Sequence, residues 1–249
     1  MGNRGGPSTG GPTRNLLLAA LPADVLERLL PHLDLVPLEL GQVIYEPGQS
    51  QAHVYFPTTA IVSLLCGMEN GTSVETSVVG FDGFVGLAVF LGGDRMTHRA
   101  VVQCKGEGYR CSAKHFRDEN WHMAALHRAL LFYAQALITQ TTQTAVCNRF
   151  HTLEQQLCRW LLLTHDLMRT DELVMTQELI ADNLGVRREG VSVAAHRLQE
   201  TGLIRYRRGH ISILDRAGLE RAVCECYGVV RRECDRLLLH ELKPRARGL

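Results

Sequence analysis

The chain has 249 residues, 45% of them hydrophobic, with 27 Lys and Arg against 26 Asp and Glu for a formal net charge of +1. That is enough apolar material for two modest domains, and no stretch approaches the roughly 18 consecutive apolar residues of a membrane span. The opening "MGNRGGPSTGGPTRN" lacks the apolar core of a signal peptide, so a cytoplasmic globular protein with no membrane partner is expected. Eight cysteines (Cys66, Cys104, Cys111, Cys147, Cys158, Cys224, Cys226 and Cys234) contain no Cys-x-x-Cys pair, which fits thiols kept reduced and mostly buried.

Residues 1–14 are rich in Gly, Pro, Ser and Thr, with little to bury, and read as a disordered leader. "LPADVLERLLPHL" (Leu21 to Leu33) places Leu21, Val25, Leu26, Leu29 and Leu30 at helical spacing behind Pro22 and Asp24, which suit a first turn. From Val36 to Arg117 the pattern changes to short apolar runs broken by glycine, among them "QVIYEPGQ", "HVYFPTTAIVSLLC", "FVGLAVFLGGD" and "RAVVQCKGEGYRC". With Asn70-Gly71 and Gly92-Gly93 as turns, these runs predict an antiparallel β-domain over 15–120.

After Trp121 no glycine or proline occurs until Gly185. Leu126, Leu130, Tyr133, Leu137, Gln140, Thr144 and Cys147 follow alternating steps of four and three, the seam of a coiled coil. A dimerisation helix over 121–148 is expected, with Leu126, Leu130, Tyr133, Leu137 and Gln140 at a homodimer interface. The alternative is that the same stripe packs on the chain's own β-domain. Its second half, "TQTTQT" (Thr139 to Thr144), is polar and must be wet or meet a ligand. A further helix, "TLEQQLCRWLLLTHDLM" (Thr152 to Met168), opens a C-terminal domain over 149–240, and 241–249 reads as a tail.

The charge is not evenly spread. Leu184 to His210 holds six arginines and two glutamates, a surplus of four positive charges with neutral histidines. In "TQELIADNLGVRREGVSVAAHRLQETG", Ile180, Ala181, Leu184, Val186, Val191, Ala194 and Leu198 take helix-turn-helix spacing, with Ala181 at the helix contact and Gly185 at the turn. The second helix then exposes Arg187, Arg188, Glu189, Ser192, His196 and Arg197. That face can enter a major groove, where arginine reads guanine and glutamate accepts from cytosine, while Arg197 at its edge meets phosphate. "GLIRYRRGHISILD" reads as a hairpin wing around Arg208-Gly209 that directs Arg205, Arg207 and Arg208 to phosphates. Double-stranded DNA is the expected partner. The chain has no nucleophile elbow, Walker loop or His-Glu-x-x-His motif, so no enzyme is expected.

With these elements in place the chain resembles the Crp/Fnr family of bacterial transcription regulators over nearly all of residues 20–215. The resemblance implies an α+β fold: an N-terminal antiparallel β-roll, jelly-roll-like and of cyclic-nucleotide-binding type, a long dimerisation helix, and a C-terminal winged helix-turn-helix. It also implies a homodimer on a palindromic site, with RNA polymerase as a further partner. Its strongest part is "TQELIADNLGVRREGVSVAAHRLQETGLIRYRRGHISI". The family begins its recognition helix with Ser-Arg-Glu-Thr-Val-x-Arg, and "RREGVSV" occupies that place, so Arg188 and Glu189 match the base-reading pair. Val193 replaces the second base-reading arginine and Arg187 the serine, which implies a different half-site. Thr176 and Gln177 are similar to phosphate-contacting positions.

The sensor half departs further. "YEPGQSQAHVYFPTTAIVSLL" resembles early β-roll strands, and "GFVGLAVFLGGDRMTHRAVVQ" stands where the family has its phosphate-binding cassette. Cyclic-AMP-binding members have Gly-Glu-Leu there; here Gly86 precedes Leu87, so the carboxylate that takes the ribose is missing, and Arg99-Ala100 follows after a longer gap. An effector pocket, if retained, would use Gly86, Leu87, Arg99 and Ala100 with Gln140, Thr141 and Thr144.

Cyclic AMP is therefore disfavoured. An iron–sulfur cluster would need clustered cysteines near the start, and the first 65 residues have none. His32, His53, His98, His115 and His122 are available to a haem but read as ordinary hydrogen-bonded residues. Cys104 and Cys111 flank "KGEGYR", where Lys105 and Arg110 would favour thiolate, against the plainer reading of two buried thiols. In "CECYGVVRREC", Cys226 and Cys234 lie two turns apart and Cys224 on another side, so no metal site is expected and packing accounts for them. The effector stays open, as do a constitutive or thiol-controlled DNA binder and, in another class, a small-molecule-binding module without DNA function.

Overall fold

A computed structural model describes residues 11–120, 123–240 and 242. Seven strands build the N-terminal β-roll: β1 (Asp34–Leu38), β2 (Val43–Tyr45), β3 (His53–Pro57), β4 (Ile61–Gly67), β5 (Ser73–Val79), β6 (Arg99–Cys104) and β7 (Gly106–Ser112). They form two antiparallel sheets, in the orders β1-β7-β3 and β2-β6-β4-β5. Leu38, Val54, Phe56 and Cys111 of one sheet and Val62, Leu64, Ala100 and Val102 of the other enclose one core with Phe84 and Phe116. At the tip of the β4–β5 hairpin Gly71 has φ 83°, and the Asn70 side-chain oxygen accepts from the Thr72 amide and hydroxyl, so the Asn-Gly turn forms where expected.

The leader expected over 1–14 lies partly outside the described residues; Pro12–Arg14 form a 3-10 turn. Asn15 is fully buried, caps α1 (Leu16–Ala19), and donates to the carbonyls of Pro57 and Gly83. α2 (Ala23–Leu29) falls inside the predicted Leu21–Leu33 helix and ends in a 3-10 turn at Leu30–His32. One expected strand run is corrected. "FVGLAVFLGGD" contains a helical turn, α3 (Leu87–Phe90), entered from Gly86 at φ 132°. A short apolar run buried on all sides has no periodicity that separates helix from strand.

Then come α4 (Ala113–Asn120) and α5 (Ala124–Phe150), a helix of 27 residues. Here the sequence-based interface is corrected: Leu126, Leu130 and Tyr133 are buried in the chain's own β-roll core, and Leu137 packs against it. Tyr133 sets its ring edge-on to Phe84 and lies so close to Gly83 that a Cβ there would stand 3.0 Å from it. The opposite side of α5 is open, with Leu131 49%, Ile138 65% and Val146 37% exposed.

α6 (Leu153–Met168) starts with a capping box between Thr152 and Gln155. It is followed by β8 (Glu172–Val174), α7 (Gln177–Leu184), α8 (Arg188–Glu200), β9 (Ile204–Arg207), β10 (His210–Ile213), α9 (Arg216–Ala222) and α10 (Glu225–Cys234). The last three strands form a small antiparallel sheet in the order β8-β10-β9. α10 returns along α5, where the Gln135 side chain donates to Glu233 at 3.0 Å.

The two halves meet across β5. Gln140 Oε1 accepts from the Val78 amide at 2.7 Å, the Thr141 and Ser77 hydroxyls pair at 2.7 Å, and Arg159 Nη2 donates to Thr144 at 3.0 Å. Gln140, Thr141 and Thr144 of the polar half of α5 are thus satisfied by β5 and α6. Beside them the buried Glu75 accepts from Trp160 Nε1 at 3.0 Å and from Ser63 Oγ at 2.5 Å. Ser63 Oγ, which donates to Glu75 Oε2, is also 2.7 Å from Gln103 Oε1, and its single proton serves one acceptor at a time. Burial pushes the Glu75 carboxyl up to about 7, although Ser63, Arg159 and Trp160 pull the other way.

Because the folded value lies above the ordinary one, stability from this group is full below about pH 4.5, declines toward about pH 7 and stays reduced above it. Glu75→Gln reproduces the protonated form. The variant is expected to match the parent near pH 4.5 and to exceed its unfolding free energy by about 1–3 kcal/mol at pH 8. Denaturant titrations at the two pH values check this; equal stability at pH 8 would contradict it.

Candidate nucleic-acid interface

The C-terminal domain is built around α7 and α8. Ile180, Ala181, Leu184, Val191, Ala194 and Leu198 are buried together with Leu157, Trp160, Leu161, Ile204 and Ile211, and Val186 packs at their edge. Thr176 caps α7 by accepting from the Leu179 amide at 3.2 Å. Gly185 ends α7 in the left-handed conformation, φ 66°, and the chain re-enters a helix at Arg188 with Arg187 as its N-cap. The predicted helix-turn-helix spacing therefore closes as expected.

With the apolar residues turned inward, α8 presents Arg187, Arg188, Glu189, Ser192, Val193, His196 and Arg197 to solvent. Two arginines at the N-terminus of a helix work against its dipole, whose positive end prefers anions. Arg187 makes no capping hydrogen bond, and Glu189 is the one acidic residue of the first turn. Helix stability does not ask for this placement, whereas an approaching anion or a base acceptor does.

The wing follows directly. Arg208 (φ 51°) and Gly209 (φ 79°) form the two-residue turn between β9 and β10, the backbone geometry that matches strand twist in a tight hairpin. On β9, Ile204 faces the core and Tyr206 is half-buried, its hydroxyl donating to the Met175 carbonyl at 2.9 Å, while Arg205 and Arg207 are exposed. Gln199 Oε1 accepts from the Tyr206 amide at 2.8 Å and ties the wing to α8.

These elements bring most of the sequence-predicted residues to one surface. A hollow of about 370 Å³ is lined by Thr176, Gln177, Arg188, Tyr206, Arg208 and Gly209. Gln177 Nε2 reaches Ser192 Oγ at 3.5 Å, joining the start of α7 to α8. Arg197 lies 3.8 Å from Glu154 and His196 3.3 Å from Glu200; exposed pairs of this kind contribute about 0–1 kcal/mol and yield readily to a phosphate.

The effector residues are not brought together in the same way. Gly86 and Leu87 start α3, where a Cβ on Gly86 would stand 2.6 Å from Val54; Ala100 is fully buried; Arg99 pairs with Glu46 at 3.1 Å. Gln140, Thr141 and Thr144 are engaged by β5 and α6. Gln140 also borders a cavity of about 320 Å³ with Phe81, Asp82, Asp166, Arg169 and Arg231.

The haem and thiol candidates resolve into ordinary contacts. His32 and His115 stack with ring centroids 3.4 Å apart, His98 Nε2 meets the Tyr45 hydroxyl at 2.8 Å, and the His53 ring lies 6.4 Å from Tyr55; His122 lies outside the described residues. Cys104 and Cys111 sit on strands of different sheets in separate clusters, and burial pushes the Cys104 thiol up to about 12, which agrees with the plainer reading of two buried thiols rather than activation by Lys105 and Arg110. Sequence reasoning missed the Glu75–Trp160 contact, because an isolated glutamate in a strand carries no sign of what will cover it.

Comparison with known proteins agrees with this geometry. Residues 155–222 match the model of the Crp-like helix-turn-helix domain. No curated protein sequence matches. Among solved structures, the chain is similar to a putative Crp/Fnr-family transcriptional regulator from Eubacterium rectale, with 17% identity, coverage of 83% of this chain and 96% of that one, and a TM-score of 0.65. It is also similar to FixK2 from Bradyrhizobium japonicum, with 16% identity, coverage of 77% and 98%, and a TM-score of 0.66. A third is the c-di-GMP-responsive global regulator CLP from Xanthomonas campestris, with 17% identity, coverage of 78% and 100%, and a TM-score of 0.59.

The turn on which α8 depends can be tested directly. A Cβ on Gly185 would need a left-handed backbone and would meet Val74 of β5 at 3.1 Å. Gly185→Ala is expected to lower the unfolding free energy by about 1–2 kcal/mol, seen as a reduced denaturant midpoint with an unchanged slope. An unchanged midpoint would contradict the left-handed turn.

Proposed function

For a chain that carries a Crp-like helix-turn-helix domain within the fold of the Crp/Fnr transcriptional regulators, we propose sequence-specific binding of double-stranded DNA by a homodimer. α8 enters the major groove with Arg187, Arg188, Glu189, Ser192 and His196 toward base edges and Val193 available to a thymine methyl. Thr176, Gln177, Arg197, Arg205, Arg207 and Arg208 meet phosphates on either side. The observation that carries this reading is the exposed Arg187–Arg188 pair at the positive end of α8, continued by the arginines of the wing.

The dimer forms through the open face of α5. Leu131, Gln135, Ile138, Thr142, Ala145 and Arg149 follow steps of four and three, each five positions along from a residue of the seam that faces the β-roll and α6. Two-fold symmetry then calls for a palindrome with half-site centres about 34 Å apart. The β-roll acts in this reading as a scaffold for α5. With Leu87 in place of an acidic residue the cassette lacks the carboxylate that takes a ribose, and Arg99 is paired with Glu46, so a cyclic nucleotide is disfavoured there.

Two substitutions separate groove reading from phosphate contact. Glu189→Ala is expected to relax preference at one base pair, a loss of about 1–3 kcal/mol in discrimination, while Arg207→Ala weakens all duplexes alike and lowers the salt slope by about one. Fluorescence anisotropy on a panel of single-base variants at several salt concentrations distinguishes them; uniform weakening by both would overturn the groove assignment. Ile138→Glu is expected to yield a monomer in sedimentation velocity and to lose at least about tenfold in affinity for a palindrome. A dimer that survives this change would overturn the α5 interface.

A further inference from the structure

Cys147 and His151 stand four residues apart at the C-terminal end of α5, and Cys224 and Cys226 open α10. The metal-binding atoms of all four lie within 4.8 Å of one another. Cys147 Sγ is 3.6 Å from Cys224 Sγ, and Cys226 Sγ is 3.6 Å from His151 Nδ1. Donors held ~2.0–2.3 Å from a tetrahedral zinc ion stand about 3.5–3.8 Å apart, so these separations are already edges of that tetrahedron. The three cysteines are buried, at 0%, 4% and 1% exposure.

Two surrounding groups point the same way. His151 Nε2 lies 3.2 Å from a Glu225 carboxylate oxygen, which leaves Nδ1 turned toward the sulfurs and supplies the carboxylate that commonly orients a metal-ligating imidazole. Arg159 is buried with one hydrogen bond, to Thr144, and its Nε and Nη1 have no partner. A divalent ion on three thiolates and a neutral imidazole has a net charge of −1, which the adjacent guanidinium balances.

We propose that Cys147, His151, Cys224 and Cys226 form a closed tetrahedral site for a thiophilic divalent metal ion of the zinc type. Binding displaces three thiol protons and leaves no position open for substrate, so the site is structural. It joins the α5–α6 junction to the start of α10 across 77 residues that contain the entire helix-turn-helix and wing. The ion would therefore staple both ends of the DNA-binding domain to the end of α5, independently of whether that domain reads DNA.

The test uses the reduced full-length protein, stripped with a chelator and titrated with Co²⁺. One equivalent is expected to give the intense visible bands of tetrahedral cobalt and a thiolate-to-cobalt charge-transfer band, and Zn²⁺ to displace it stoichiometrically. Cys226→Ser is expected to abolish the charge-transfer spectrum or weaken binding at least about tenfold, and Glu225→Gln, on an exposed side chain, to weaken it about 10–100-fold without unfolding the protein. Cys66→Ser should leave the spectrum unchanged. A weak octahedral spectrum without charge transfer, the same spectrum from Cys226→Ser as from the parent, or a Cys147–Cys224 disulfide in the freshly purified protein would overturn the site.

Discussion

Gln140, Thr141 and Thr144 carry their polar groups on the side of α5 that meets β5 and α6, and each is paired there with Val78, Ser77 and Arg159. Thr144 is buried, and leaving it unpaired costs about 1–3 kcal/mol, while the half-buried Gln140 and the exposed Thr141 add smaller contributions, so rotation of α5 about its own axis is opposed. Above them Leu126, Leu130 and Tyr133 lock the same face into the β-roll by apolar burial. The helix is thus fixed along its length by contacts of two kinds on one side. What it offers on the other side, and where it delivers α6, follow from that lock.

The DNA-binding domain inherits its position from the same junction. Trp160 of α6 reaches Glu75 of β5, and Gly185 at the helix-turn-helix corner packs on Val74 one residue earlier in that strand. One strand of the β-roll therefore touches both the helix that leads into the reader domain and the turn that aims its second helix. Within α8 two arginines on the open face oppose the dipole, and the one inward departure from helix preference, Gly190, lies where a Cβ would stand 2.9 Å from Leu153 of α6.

The helix-turn-helix was legible because its constraints are local: small Ala181 at the helix contact, Gly185 at a left-handed turn, and Arg208-Gly209 at a tight hairpin all bear on nearest neighbours. The β-roll was legible as a class from its glycine-punctuated runs, but α3 was not, since Leu87–Phe90 is apolar throughout. The seam of α5 shows a different limit. Steps of four and three identify a face that will be buried without naming what buries it, and the partner proved to be the chain's own Phe84 and Gly83. The cysteine cluster illustrates the same limit at long range. Cys147 and His151 had the four-residue helical spacing of paired ligands, yet their counterparts lie 77 residues away and only the fold brings them close. Glu75, a single acid in a strand, carried no signal at all.

In the proposed homodimer a fixed α5 presents two copies of α8 at one separation, and that is the proposal most open to direct attack. Reduced, nucleotide-free protein incubated with a pool of randomised duplexes, followed by sequencing of what is retained, tests it in one step. The account predicts recovery of a two-fold symmetric site with a single half-site spacing of about one helical turn. Salt-sensitive retention of duplexes with no preferred sequence, or of half-sites at unrelated spacings, would contradict it.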